Sequence, residues 1–117
     1  MPDCQINDIL SVTTTVADLE QARQLARAAV SARLAACVQV EPIESFYRWQ
    51  GRLCEQGEQR LTFKTLAARH PALEQWLQAH HPYEQPQILT TACLAEAGYA
   101  AWVGEQVVPD MDDAGSA

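Results

Sequence analysis

Residues 36–65 read ACVQVEPIESFYRWQGRLCEQGEQRLTFKT, and this stretch decides the fold. Ala36, Val38 and Val40 put apolar side chains at even positions, the period-two signature of a strand with one buried face. After Pro42 the apolar set moves to odd positions, at Ile43, Tyr47 and Trp49. A change of parity implies one inserted residue, so a β-bulge or kink is predicted at Glu41-Pro42, where proline is tolerated. Gln50-Gly51-Arg52 supplies the turn, with Gly51 as the permissive position. The return strand runs through Leu53 and Glu58 to Leu61, Phe63 and Thr65. Strands of roughly 12–14 residues would extend about 40–46 Å, whereas a compact domain of this length has a radius of gyration of about 13 Å. The hairpin therefore overhangs its own sheet. Phe46, Tyr47, Trp49 and Leu53 near its tip would leave apolar surface and unpaired edges in water. Oligomerisation through these strands resolves the conflict.

The flanking segments supply the remaining elements. Residues 9–16 are β-branched and threonine-rich, with Leu10, Val12, Thr14 and Val16 on one face of a strand. Asp18 stands three residues before Gln21, a capping-box pattern. Leu19, Ala22, Leu25, Ala26, Ala29 and Val30 then keep helical spacing, with Arg23, Arg27 and Ser31 on the opposite face. That helix, about four turns long, ends near Arg33-Leu34. A second helix opens at His70-Pro71 with proline at the favoured first position. Its apolar stripe is Leu73, Trp76, Leu77 and His80.

The connector His80-His81-Pro82-Tyr83-Glu84-Gln85-Pro86-Gln87 follows. Pro82 cannot continue the helix and biases His81 out of the helical region, and Pro86 extends Gln85. The last strand covers residues 88–94, and a short helix carrying Tyr99, Trp102, Val103 and Val107 closes the domain. The tail, residues 108–117, is acidic and small and is expected to be disordered. The order βαββαβ plus a terminal helix gives one α+β domain. It is a ferredoxin-like sandwich, with a four-stranded antiparallel sheet and both main helices on one face.

Composition narrows the function. A chain of 117 residues with net charge −7 and Lys64 as its only lysine lacks a basic footprint for nucleic acid. No segment is long and apolar enough to span a bilayer, and the start has no basic-then-apolar leader, so no membrane association is expected and the expected compartment is cytoplasmic. There Cys4, Cys37, Cys54 and Cys93 are expected to stay reduced and pack as small hydrophobes.

Taken together, these residues resemble the CutA divalent-cation-tolerance proteins. The resemblance rests on Val12-Thr13-Thr14-Thr15 with Asp18, on Arg33-Leu34-Ala35-Ala36-Cys37-Val38, and on Tyr47-Arg48-Trp49-Gln50-Gly51. It continues through Glu58, Phe63-Lys64-Thr65, His80-His81-Pro82-Tyr83 with Pro86, and Tyr99 with Trp102. It implies a fold similar to the PII signalling proteins, a homotrimer built by pairing the long hairpins, and a role in tolerance of copper and other divalent cations. The copper site proposed in such relatives uses a cysteine of the first strand, a histidine of the His-His pair and an acid after the second proline. Here Thr14 replaces the cysteine, His80 keeps the histidine and Gln87 replaces the acid. A thiolate and a carboxylate would hold copper far better than a hydroxyl and an amide.

Each candidate residue has a structural and a functional reading. His80, on the apolar stripe at a helix C-terminus, is either a core or interface histidine or a metal ligand completed by His81, Glu84 or a neighbouring subunit. Tyr83 is a packed aromatic with its hydroxyl satisfied, or a wall of a ligand cleft. Lys64 pairs with Glu58 or another acid, or draws a small anion to a subunit cleft. Phe46, Tyr47 and Trp49 are assigned to the trimer interface. No catalytic residue is expected: neither a phosphate-cradling glycine loop nor a Ser-His-Asp order is present. The expected function is that of a non-enzymatic homotrimer that binds copper or other divalent metal ions weakly, with no obligatory cofactor. The alternative is a PII-like adaptor taking a small anionic ligand between subunits.

Overall fold

The computed structural model describes residues 8–109. The expectations for Cys4 and for residues 110–117 lie outside the described residues. The elements are β1 (Asp8–Val16), α1 (Leu19–Ser31), β2 (Cys37–Trp49), β3 (Arg52–Thr65), α2 (His70–His80), β4 (Leu89–Leu94) and α3 (Ala97–Gln106). The strands form one antiparallel sheet in the order β2-β3-β1-β4. This is the ferredoxin-like α+β architecture that the order of elements predicts.

Alternation along β1 and β3 builds the core. Val12, Val16, Leu61 and Phe63 pack with Ala22, Leu25 and Ala29 of α1 and with Leu73 and Leu77 of α2. Ile9, at the other parity of β1, packs instead with Ala36, Ala100, Val103 and Val107, so α3 covers the opposite face at one end of the sheet. Leu19 and Val30, read as part of the α1 stripe, are 40% and 43% exposed. They flank the narrow seam of Ala22, Leu25 and Ala29 that meets the sheet. Asp18 caps α1 as its spacing predicts, accepting a 2.8 Å hydrogen bond from the Gln21 N–H.

The C-terminal end of α1 has no basic residue of its own. Its last carbonyls, those of Ala28, Ala29 and Val30, accept from the N–H groups of Ala32 to Ala35, while the residues that leave the helix are served from far along the chain. Arg69 donates from Nε to Arg33 O at 3.1 Å and from Nη2 to Ala32 O at 3.5 Å. The buried Thr65 hydroxyl donates to Leu34 O at 2.9 Å. Arg33, in the left-handed region at φ 58°, turns the chain out of the helix, and its Nη1 reaches Gln106 O at the end of α3.

The hairpin is long and straight in register. Pairing runs without a skipped residue from Cys37–Lys64 to Trp49–Arg52, with Pro42 opposite Gln59. The predicted bulge at Glu41-Pro42 is therefore absent. The apolar parity changes because the ribbon changes the face that it covers. Val38 and Val40 pack against the core, beside their cross-strand partners Phe63 and Leu61. Ile43, Tyr47 and Trp49 turn the other face toward a groove. Proline is accommodated because β2 is an edge strand. Gln50 and Gly51, at φ 52° and 78°, form the two-residue left-handed loop that matches strand twist.

β1 accompanies β3 only as far as Val16–Gln59, so the hairpin beyond that pair stands clear of the sheet. The radius of gyration, 15.7 Å, exceeds the compact value accordingly.

Candidate functional site

The overhanging hairpin and the connector after α2 enclose a groove of about 660 Å³. Pro82 ends α2 as expected: His81 takes extended backbone at φ −70°, ψ 137°, and the chain turns across the end of β1. That turn buries the His81 ring, leaving it 9% exposed. Its Nε2 lies 2.9 Å from Thr14 Oγ1 and 3.0 Å from Thr15 O, while the Tyr83 N–H points at Nδ1 from 3.0 Å. A carbonyl only accepts and an amide N–H only donates. Nε2 therefore carries the proton and Nδ1 is bare, so the ring is a neutral imidazole of one tautomer. Burial lowers the His81 pKa, and the Thr15 carbonyl and the Glu58 charge oppose that only in part.

Tyr83 leans over His81, ring centroids 5.0 Å apart, and its hydroxyl donates to Glu58 Oε2 at 2.6 Å. Burial and this bond to the carboxylate raise the tyrosine's pKa well above its ordinary value. Glu58 is 8% exposed, on β3 opposite Ile43. The register puts it on the same face as Ile43, Tyr47 and Trp49, and it lines the groove with them and with Tyr83. Closer to the tip, the Tyr47 hydroxyl donates to Gln56, and burial with the nearby Cys54 and Glu58 raises the Tyr47 pKa.

The sequence-derived candidates separate on this framework. His80 is exposed rather than part of the core. Its Nδ1 donates to Trp76 O at 2.9 Å, and its ring stacks on Trp76 at 4.9 Å. Thus His81, and not His80, is the histidine that meets Thr14. Glu84 and Gln87 lie exposed along the groove. Among the described residues no three His, Cys, Asp or Glu side chains gather into a metal-binding group, so His80, His81 and Glu84 are not joined within one chain. A hydroxyl, an amide and an imidazole with both nitrogens engaged do not fit a copper centre.

Lys64 and Tyr83 do not share a cleft within the chain. Lys64 pairs in register with Ser11 and Cys37 and is absent from the groove lining. It stands six residues from Glu58 along β3, about 20 Å at strand rise. The cation that does line the groove is Arg60, and it pairs with Glu41 at 3.2 Å. Glu58 is the important residue that sequence reasoning misplaced, as a partner for Lys64. The signal available was its register opposite Ile43, on the face marked by the second apolar parity. Phe46, Tyr47 and Trp49, assigned to a trimer interface, are 63%, 40% and 55% exposed in the single chain, and Leu53 is 71% exposed. Among the described residues no helix is long and apolar enough to cross a membrane.

Comparison with known proteins agrees with this framework. The divalent-cation tolerance protein CutA of Thermus thermophilus is 41% identical over 97 residues, 80% of this chain and 93% of that protein. The mouse protein CutA is 38% identical over 100 residues, and the match spans only 55% of its length. The solved structure of CutA from Synechococcus elongatus PCC7942 superposes with a TM-score of 0.81 at 42% identity, covering 87% of this chain and 92% of that one. The model of the CutA1 divalent ion tolerance protein matches residues 10–106, and the chain belongs to that family.

Proposed function

We propose that this chain acts as a non-enzymatic homotrimer of the cytoplasm whose contribution to cation tolerance is made by binding rather than by catalysis. The observation that carries this reading is the overhanging hairpin. Its tip holds Phe46 and Leu53 more than half exposed, and full burial of such side chains contributes about 1.5–3 kcal/mol each. The sheet also ends in two different edges, β2 and β4. An edge of one kind laid against an edge of the other kind in the next copy is a head-to-tail contact, which closes into a ring when the rotation allows. Copper or another divalent cation binds weakly in this reading, at the exposed His80 Nε2, which makes no hydrogen bond among the described residues. Donors from a neighbouring copy complete its shell.

Light scattering on the purified chain tests the assembly. A trimeric mass at low micromolar concentration is expected, and a monomer overturns it. Copper titration tests the metal contact. His80→Ala is expected to abolish the weak binding. His81→Ala is expected to cost stability instead, because both of its ring nitrogens are already committed. Copper affinity unchanged by His80→Ala overturns the assignment.

A second reading, a PII-like adaptor with a small ligand in the groove, is favoured by the buried Glu58–Tyr83 pair at the groove wall. Glu44, Glu58 and Glu84 line that groove against Arg60 alone, and this balance disfavours an anion there.

A further inference from the structure

We propose that the groove between the hairpin and the 82–87 connector binds a small primary ammonium compound, whose nitrogen donates to Glu58 while its apolar body lies among Tyr83, Tyr47 and Trp49. The proposal rests on the adaptor reading and supplies its ligand class. Glu58 has more than nine-tenths of its surface buried, yet its hydrogen-bonding partner among the described residues is a neutral phenol, held at 2.6 Å on Oε2. Oε1 takes no hydrogen bond from the described residues. The nearest candidate counter-charge along the strand, Arg60, is committed to Glu41 at 3.2 Å. Oε1 opens to the groove, where a bound cation with N–H donors supplies the counter-charge that the described residues do not.

The surroundings favour an organic cation over a metal ion. Aromatic faces attract ammonium groups and also accept the hydrocarbon attached to them. A hard divalent ion needs several oxygen ligands, and no acid or imidazole cluster of three forms among the described residues. The Tyr83 hydroxyl contributes in the ground state. Because its proton is firmly held, it stays a donor to Oε2 and leaves the carboxylate's other oxygen for the ligand. The cavity, about 660 Å³, lies within the range of small-molecule sites.

The test uses one molecular body in three charge states: benzylammonium chloride, benzyl alcohol and sodium benzoate, each added to the intact protein in amine-free phosphate buffer at neutral pH. Saturable binding of benzylammonium by calorimetry, with a matching rise in melting temperature, is expected. Benzyl alcohol is expected to bind at least tenfold more weakly and benzoate not at all. Glu58→Gln is expected to remove the preference for the cation while retaining the weak binding of the alcohol. Equal affinity for all three probes, or a preference for benzoate, overturns the proposal using the wild-type protein alone, even where Glu58→Gln fails to fold. Displacement of benzylammonium by Cu2+ in the His80→Ala variant also overturns it, by assigning Glu58 to a metal. Light scattering on the same samples separates the two ideas. A trimer that ignores benzylammonium removes the ligand class and leaves the assembly standing, whereas a monomer that binds it does the reverse.

Discussion

Replacing His81 by alanine should destabilise the protein by about 3–4 kcal/mol per chain. The ring makes three hydrogen-bond contacts, with Thr14 Oγ1, Thr15 O and the Tyr83 N–H, at 2.9–3.0 Å. Each is worth about 1 kcal/mol net. Losing the buried ring also leaves a gap against Tyr83, for on the order of 1 kcal/mol more. His81→Gln keeps an amide able to serve one or two of these partners and should lose about half as much. Urea unfolding followed by tryptophan fluorescence measures both, at one fixed protein concentration because assembly contributes to apparent stability. A midpoint shift at constant slope is expected. A loss below about 1 kcal/mol for His81→Ala would refute the view that this imidazole ties the connector to the end of β1.

The same ring gives a pH signature. Its folded pKa is lowered while the unfolded chain titrates near the ordinary value of about 6.5. The unfolded state thus takes up protons first, so this contribution is complete above about pH 6.5 and is lost as pH falls toward the folded value. His81→Gln should flatten that part of the curve, and an unchanged slope would count against it. At the hairpin tip, Gly51→Ala should cost about 1 kcal/mol because φ is 78° there, whereas Gln50→Asn should stabilise by a few tenths, read from melting temperatures. Phe63→Ala, fully buried between the helices and the sheet, should cost about 3–5 kcal/mol in urea unfolding, and a smaller loss would mean that the core collapses to fill the space. Phe46→Glu with Leu53→Glu should shift the scattering mass toward the monomer, since both side chains project from the ribbon; an unchanged mass would place the assembly contact elsewhere.

Most of the fold was readable from local signals. The Asp18 cap, the proline opening α2, Pro82 closing it and the Gln50-Gly51 turn each depend on a few neighbouring residues, and each stands where the sequence puts it. The bulge was misread because periodicity reports which side chains are apolar, not what covers them. A ribbon that lies on a core for half its length and stands free for the rest can reverse parity with an unbroken ladder. The site was harder to read for a related reason. His80 and His81 are adjacent in sequence, and only the angle at which the chain leaves α2 decides which ring goes inward. Glu58 sits on β3, far from Tyr83 in sequence, so their hydrogen bond is visible only once the connector has folded across the end of the sheet.

The distant donors at the end of α1 bear on how the molecule assembles itself. Thr65, at the end of the hairpin's return strand, and Arg69, beyond it, satisfy the carbonyls of Ala32, Arg33 and Leu34. The turn that leaves α1 therefore has no complete set of partners until thirty or more intervening residues have come back to it. A peptide cut before β3 should lose the ordered turn at residues 32–34. In the whole chain, protection of the Ala36 amide, which donates to Lys64 O at 2.8 Å, should appear together with that of β3, making the first crossover and the return strand one cooperative unit.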